Sequence, residues 1–275
     1  MNSVSRRSFS AEIMELFDIH THIFPAHIAE RVIAQLEGYY GFKWEGTGVF
    51  EDLVSSMDEA GVRRCNIFSC ATKPEQVEAA NTYLASLQEK FPERFCCFGT
   101  MHPEYPDIAG ELKRLRSLGL KGLKIHPDFQ RFHIDDPKMI KIYDLAGDTL
   151  PMLFHVGDPY QDYSAPRRLG KVMDLMPHLK VIAAHLGGYR AWEEGKRHLV
   201  GRENIWLDTS STIGYISAEE ARKIILTHGC DKVLWGSDYP ARKHQGAIED
   251  IRQLNLSAAE EELIFHRNAE KLLGI

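Results

Sequence analysis

Eight short apolar runs, each followed by a stretch with helical spacing, constrain this chain more than any other feature. The runs are Leu16–Ile23 (LFDIHTHI), Arg64–Ser69 (RCNIFS), Phe95–Met101 (FCCFGTM), Gly122–His126 (GLKIH), Met152–Gly157 (MLFHVG), Val181–Leu186 (VIAAHL), Ile205–Ser210 (IWLDTS) and Val233–Ser237 (VLWGS). Most are apolar at successive positions, as strands covered by helices on the outside must be. Between them, Phe50, Leu53, Val54 and Met57 recur at i, i+3, i+4 and i+7, and Gly61 follows as a helix stop. Leu112, Leu115 and Leu118 lie on one face before Gly119, and Ser217 with Glu220 and Ser257 with Glu260 make capping-box patterns. Eight strand–helix units in 275 residues predict a single-domain α/β fold, the (β/α)8 TIM barrel, over 15–275. An open doubly wound sheet is the competitor, but no Gly-rich fingerprint follows the first strand.

One connection is longer than a barrel requires. About 25 residues separate the first strand from the helix near Phe50. The Ala29–Ala34 half reads as a short helix, and the half carrying Tyr39, Tyr40, Phe42 and Trp44 would either cover the barrel mouth or pack on a neighbouring subunit. At the start of the chain, residues 1–14 read as a mobile leader. Its Ser5-Arg6-Arg7-Ser8-Phe9 has the look of a twin-arginine export signal, but Glu12 and Glu15 follow where an apolar stretch would be needed.

Composition narrows the class of function. Lys and Arg total 33 against 39 Asp and Glu, a net charge of −6, which supplies no basic surface for nucleic acid. No uncharged apolar run approaches the roughly 20 residues of a membrane span. The five cysteines are odd in number and form no CxxC pair, so a reducing cytoplasm is the expected compartment. The expected partner is a small-molecule substrate.

Polar residues at the strand ends carry the chemistry. Asp18, His20 and His22 share one parity on the first strand, and Lys124 and His126 share one on the fourth. His155 ends the fifth, His185 the sixth, and Asp238 follows the eighth. So many ionisable groups inside one apolar barrel are costly unless they are paired or coordinated. A divalent cation removes that cost. His-x-His on one strand places two rings on the same side about 7 Å apart along the backbone, from where their side chains can converge.

The motifs DIHTH, GLKIHP, FHVGDP, AAHLGG and WGSDYP, in this order, resemble those of the amidohydrolase superfamily. More narrowly, the chain is similar to the amidohydrolase 2 branch that includes aminocarboxymuconate-semialdehyde decarboxylase, over about residues 16–275. The resemblance implies His20, His22, His155 and Asp238 as metal ligands, with His185 beside the metal as a group that polarises or protonates the substrate. It implies one divalent ion, zinc by ligand type, with manganese, iron or nickel also compatible with an N3O site. A second metal would follow if Lys124 were carbamylated and bridging; otherwise Lys124 forms a buried salt bridge, with Asp18 as the candidate partner. Relatives are often homodimers or homotetramers.

Two activities fit the ligands. The first reading is hydrolysis of an amide, ester or lactone by metal-activated water, with Asp238 moving the proton and His185 stabilising the oxyanion. The alternative is a metal-dependent non-oxidative decarboxylation. A nuclease branch would carry Glu on strand four, where this chain has Lys124-Ile125-His126. A barrel that binds a ligand without turning it over is the remaining class. His126 is expected to line the substrate pocket. Tyr160, Arg167 and Tyr239 are the loop residues expected to meet a carboxylate-bearing substrate, with Arg168, Tyr189, Arg190, Arg242 and His102 as further candidates. Asp158 and Asp208 read as local hydrogen-bond acceptors.

Overall fold

The computed structural model describes residues 14–275. The leader expected over 1–14 therefore lies, Met14 apart, outside the described residues. Eight strands form one sheet in the order β1 to β8: β1 Phe17–His22, β2 Arg64–Phe68, β3 Phe95–Thr100, β4 Gly122–Ile125, β5 Met152–Phe154, β6 Val181–Ala183, β7 Ile205–Asp208 and β8 Val233–Leu234. Every neighbouring pair is parallel. The sheet closes where Ile19 N–H donates to Trp235 O (2.9 Å) and Asp238 N–H donates to His20 O (3.0 Å). Each strand falls within its predicted run. This is the expected (β/α)8 barrel.

The helices used below are α1 Ala26–Tyr40, α2 Phe50–Ala60, α3 Val77–Lys90, α4 Ile108–Ser117, α5 Pro127–Gln130, α6 Pro137–Ala146, α7 Pro166–Leu175, α8 Ala184–Gly187, α9 Trp192–His198, α10 Ala218–His228 and α11 His244–Arg252. Their stops follow the sequence: Gly61 ends α2 in the left-handed conformation (φ 71°). Ser217 accepts from Glu220 N–H at the start of α10, and Ser257 and Glu260 cap each other reciprocally.

Strand alternation sorts the apolar side chains into two layers. Ile67, Cys97, Leu123, Phe154, Val181 and Leu207 point outward and pack under helices, where Leu53 and Met57 of α2 are fully buried. Burying one such side chain contributes roughly 1.5–3 kcal/mol. Phe17, Ile19, Phe68, Phe98, Leu153, Ile182 and Leu234 fill the barrel, and Ala269, Leu272 and Leu273 of the C-terminal tail pack against them. The interior is thus solid on one side of the polar layer, and the chemistry is confined to the carboxyl ends of the strands.

The long connection after β1 folds into the 15-residue α1 and an aromatic turn. Tyr40 meets Phe129, Tyr189 and Trp44, so the aromatic half covers the mouth of its own barrel. Among the described residues no helix is long and apolar enough to cross a membrane.

Candidate metal centre

A β-bulge decides which residues of β1 face inward. The β1–β2 register shifts between Asp18 and Thr21, so Ile19 and His20 both point into the barrel, while the Thr21 hydroxyl turns outward to the Asn66 carbonyl. His22 then faces inward as well. A single extra residue reverses the parity of everything before it. Asp18 consequently does not share a face with His20 and His22, nor does it pair with Lys124. It lies outside the barrel wall, 3.3 Å from His244 of α11 and beside Cys65, where it accepts from the backbone N–H groups of His20 (2.8 Å) and Ser237 (3.1 Å).

Inside, three of the expected ligands converge. His20 Nε2 lies 3.2 Å from His22 Nε2 and 3.3 Å from Asp238 Oδ1, and His22 Nε2 is 3.6 Å from the same oxygen. Asp208, fully buried, sets the state of His20. Its Oδ2 accepts from His20 Nδ1 at 2.9 Å, which leaves Nε2 as a lone pair. Burial first, and the Lys124 ammonium second, push His20 and His22 well below the ordinary imidazole range. Both are therefore neutral donors near pH 7. Asp238 is presented from a left-handed backbone (φ 63°), and the Ser211 hydroxyl donates to its Oδ2. Donor atoms around a tetrahedral ion with bonds near 2.0–2.1 Å are about 3.3 Å apart. The trio has that spacing, so the residues fit a divalent cation.

His155 stands apart from this trio. His185 lies between, its ring 5.2 Å from His20 and 4.8 Å from His155. His185 is held on all sides: its Nδ1 donates to Ser210 O (3.0 Å), its N–H to Asp208 Oδ1 (3.2 Å), and its carbonyl accepts from the Trp192 indole (2.8 Å). Its Nε2 meets His155 Nδ1 at 2.9 Å. The His155 ring stacks on His126 at 4.0 Å and 8°, and His126 stacks on Phe129.

Lys124 is fully buried, its Nζ 3.1 Å from His20 Nε2 and 4.7 Å above the Phe68 ring. Burial lowers its pKa. A cavity of about 990 Å³ opens above this floor, lined by His22, His126, His155, His185, Asp238, Phe129 and Tyr189, and roofed by Tyr39, Tyr40, Phe42 and Trp44. Cys70 also lines it, its thiol pushed up to about 11 by burial.

Several expected pocket residues lie elsewhere. Tyr160 is 66% exposed and does not line the cavity. Arg167 is taken up by Asp162 and Glu194, Arg168 by Asp135 and Asp162, and Arg242 by Asp250 and Glu45. The Tyr239 side chain is buried under the loop, its hydroxyl donating to Asp52 (2.6 Å). For the three arginines and Tyr239, a nearby carboxylate outcompetes the mouth for the polar group. His102 caps its own turn, accepting from Glu104 N–H. Two residues proved more central than their sequence position suggested. Asp208 takes the inward parity of β7 after Trp206, and Asp128 sits two residues beyond His126 in the one-turn α5.

The sequence pattern describing the amidohydrolases matches residues 17–275. The chain belongs to the amidohydrolase family. It is an enzyme of the amidohydrolase superfamily, and its relatives give that family a narrower colour. A gamma-resorcylate decarboxylase from Polaromonas sp. strain JS666 is 24% identical over 257 residues, covering 73% of this amidohydrolase and 77% of the relative. The solved 5-carboxyvanillate decarboxylase of Sphingomonas paucimobilis superposes with a TM-score of 0.72 at 18% identity, covering 96% and 100% of the two chains. A dihydroxybenzoic acid decarboxylase from Polaromonas sp. JS666, with bound manganese and the inhibitor 2-nitroresorcinol, gives 0.70 at 17% identity over 95% and 97%.

Proposed function

We propose that this amidohydrolase is a metal-dependent, non-oxidative decarboxylase of a small planar carboxylic acid. The observation that carries the reading is the lone-pair trio of His20, His22 and Asp238 at the floor of a cavity walled by ring faces. The similarity to decarboxylases of hydroxylated benzoic acids supports this activity ahead of hydrolysis. His20, His22 and Asp238 would hold the ion, with manganese and zinc the first two to test. A bound divalent ion would supply a fixed positive charge for the substrate's carboxylate and a neighbouring oxygen.

The protein's own groups do the rest. Phe129, His126, Tyr189 and Tyr40 present aromatic faces and edges that hold a flat substrate and exclude water. The reaction breaks the bond from ring carbon to carboxylate, releases carbon dioxide, and places one proton on that carbon. His155 and His185 share a proton across 2.9 Å at the cavity wall, and Asp208, Ser210 and Trp192 fix the orientation of His185. That pair is the proton source.

The test is a panel. Protein loaded with Mn²⁺ or Zn²⁺ is offered hydroxylated benzoic acids and, separately, esters, amides and lactones. Carbon dioxide release in step with loss of the acid, and one deuterium at the vacated carbon in D₂O, are expected. Hydrolysis of a lactone or amide without any carbon dioxide release restores the hydrolytic reading and removes this one.

A further inference from the structure

The cavity above the trio is larger than an acid of one ring requires. A void of about 150 Å³ holds benzene, and this cavity has about 990 Å³. Helix α1 lines it along one face, from His27 through Ile28, Arg31, Val32 and Leu36 to Tyr40. At 1.5 Å per residue that wall is about 20 Å long. Lys73, just ahead of α3, and Ala80 and Tyr83 on α3 line the same cavity. The space therefore extends from the metal centre outward between α1 and α3.

The outer stretch has its own chemistry. Ile28, Val32 and Leu36 recur at i, i+4 and i+8, so they make one apolar stripe along the cavity. All three are half-buried and, among the described residues, belong to neither apolar core. An apolar stripe continuous with a small-molecule site suits an apolar part of that molecule. Two fixed cations line the cavity, Arg31 and Lys73, and two carboxylates, Asp238 and Glu75. Asp238 belongs to the trio on the floor, which leaves the outer stretch cationic. Among the described residues Arg31 and Lys73 have no carboxylate partner, whereas Arg167, Arg168 and Arg242 are each taken up by two. Both unpaired cations are exposed, at the solvent end of an apolar wall.

We propose that the space between α1 and α3 is a second subsite, which takes an apolar ring of the substrate and, at Arg31 and Lys73, a second carboxylate. The substrate is then an elongated diacid, with its reacting end at the floor and its other end near solvent. This rests on the reading that the floor takes the metal-chelating end of an acid, but not on which bond is broken there.

Binding, not turnover, tests it. Mn²⁺-loaded full-length protein is titrated calorimetrically with salicylate, 5-phenylsalicylate and 5-(4-carboxyphenyl)salicylate. The added ring is expected to tighten binding about tenfold, because it leaves water for an apolar wall. The added carboxylate should contribute roughly another three- to fivefold, as ion pairs at exposed groups do. Arg31→Gln combined with Lys73→Gln is expected to remove the second gain and to leave the other two affinities within about twofold. Ala80→Phe, which fills the space, should remove both gains and keep salicylate binding; the retained salicylate shows that each variant is folded. Equal affinities for the three acids, or no binding of any, overturn the proposal. So does a carboxylate gain that persists without Arg31 and Lys73. Equal affinities together with loss of self-association in Ala80→Phe would assign the groove to a second copy of this chain instead. Graded binding without carbon dioxide release from any of the acids would sink the decarboxylation and leave the subsite standing; release from salicylate with no gain from extension would do the reverse.

Discussion

Replacing Asp208 with Asn tests whether one buried carboxylate sets the chemistry of the candidate metal centre. Asp208 Oδ1 accepts from three donors, the backbone N–H groups of His185 (3.2 Å) and Ser210 (3.0 Å) and the Ser210 hydroxyl, while Oδ2 accepts from His20 Nδ1 (2.9 Å). In Asp208→Asn the single carbonyl oxygen must stay where three donors converge. The amide NH₂ is then forced toward His20, and a donor there requires His20 Nδ1 to become the acceptor. The proton moves to Nε2, the atom that lies 3.3 Å from Asp238 and 3.2 Å from His22. Size, burial and fold are conserved, but the lone pair leaves the site. Loss of an outer carboxylate of this kind typically weakens metal binding 10–100-fold, about 1.4–2.8 kcal/mol, and the tautomer change places this variant at the weak end. The assay is a competitive titration of Zn²⁺ against a chromophoric chelator, with circular dichroism and a thermal melt on the same samples. Ser210→Ala, which leaves the carboxylate and its bond to His20 in place, should stay within about threefold of the unaltered protein on the same reasoning. A folded Asp208→Asn protein that binds zinc within twofold of the original would refute the tautomer argument.

Gly236→Ala puts a methyl 2.8 Å from His20 Cβ and 3.3 Å from Ser210 Cβ. The crowding should cost roughly 1–3 kcal/mol in urea unfolding and weaken metal binding by displacing His20; an unchanged midpoint and affinity would show that β8 can give way there. Asp238→Asn removes the anionic member of the trio and is expected to abolish turnover with the melt unchanged, so full activity in a metal-loaded, folded variant would remove Asp238 from the mechanism. His228, the buried last residue of α10, accepts from Gly201 N–H at Nδ1 and donates to the Ile205 carbonyl from Nε2, both at 3.0 Å. Burial lowers its pKa from 6.5 to about 4. Between those values the unfolded chain binds the proton and the folded one does not, so stability falls as pH drops from about 6.5 towards 4, by up to ~3 kcal/mol. His228→Gln should flatten that part of the curve of urea midpoint against pH; an identical slope in the variant would place the effect on other groups.

The architecture was legible because each strand of a parallel barrel is buried on both sides, so its residues must be apolar in unbroken runs that charged helices then interrupt. The site was legible to the extent that unusual residue types sat at strand ends: His20, His22, His126, His155, His185 and Asp238 all reach the same cavity or its floor. Loop residues were not legible. Arg167 and Tyr239 have the chemistry to bind a carboxylate, but whether they do depends on whether Glu194 or Asp52 comes closer, and loop geometry carries no periodic signal. Asp128 was hidden for a related reason. Its neighbours in space, His155 and Ser164, are 27 and 36 positions away in the chain.

The misreading of Asp18 is of another kind. Strict alternation along Asp-Ile-His-Thr-His sends Asp18, His20 and His22 to one side, and the bulge that breaks it is a backbone event with no side-chain signature. Yet the bulge and the site are one construction. With Asp18 turned outward, a single buried carboxylate accepts from the N–H of His20 on β1 and from the N–H of Ser237 beyond β8. Those two amides belong to the segments that present His20 and Asp238 to each other across the barrel seam. His244 of α11 holds the carboxylate in place from behind, and the Ser56 hydroxyl of α2 holds His244 at 2.7 Å. Had Asp18 followed the alternation, it would have lain inside beside Lys124 as an ion pair, and nothing would tie the seam at the level of the ligands. The residue that violates the strand period is therefore the one that sets the spacing of the trio, and Asp18→Asn should loosen metal binding at His20 and Asp238 although it touches neither side chain.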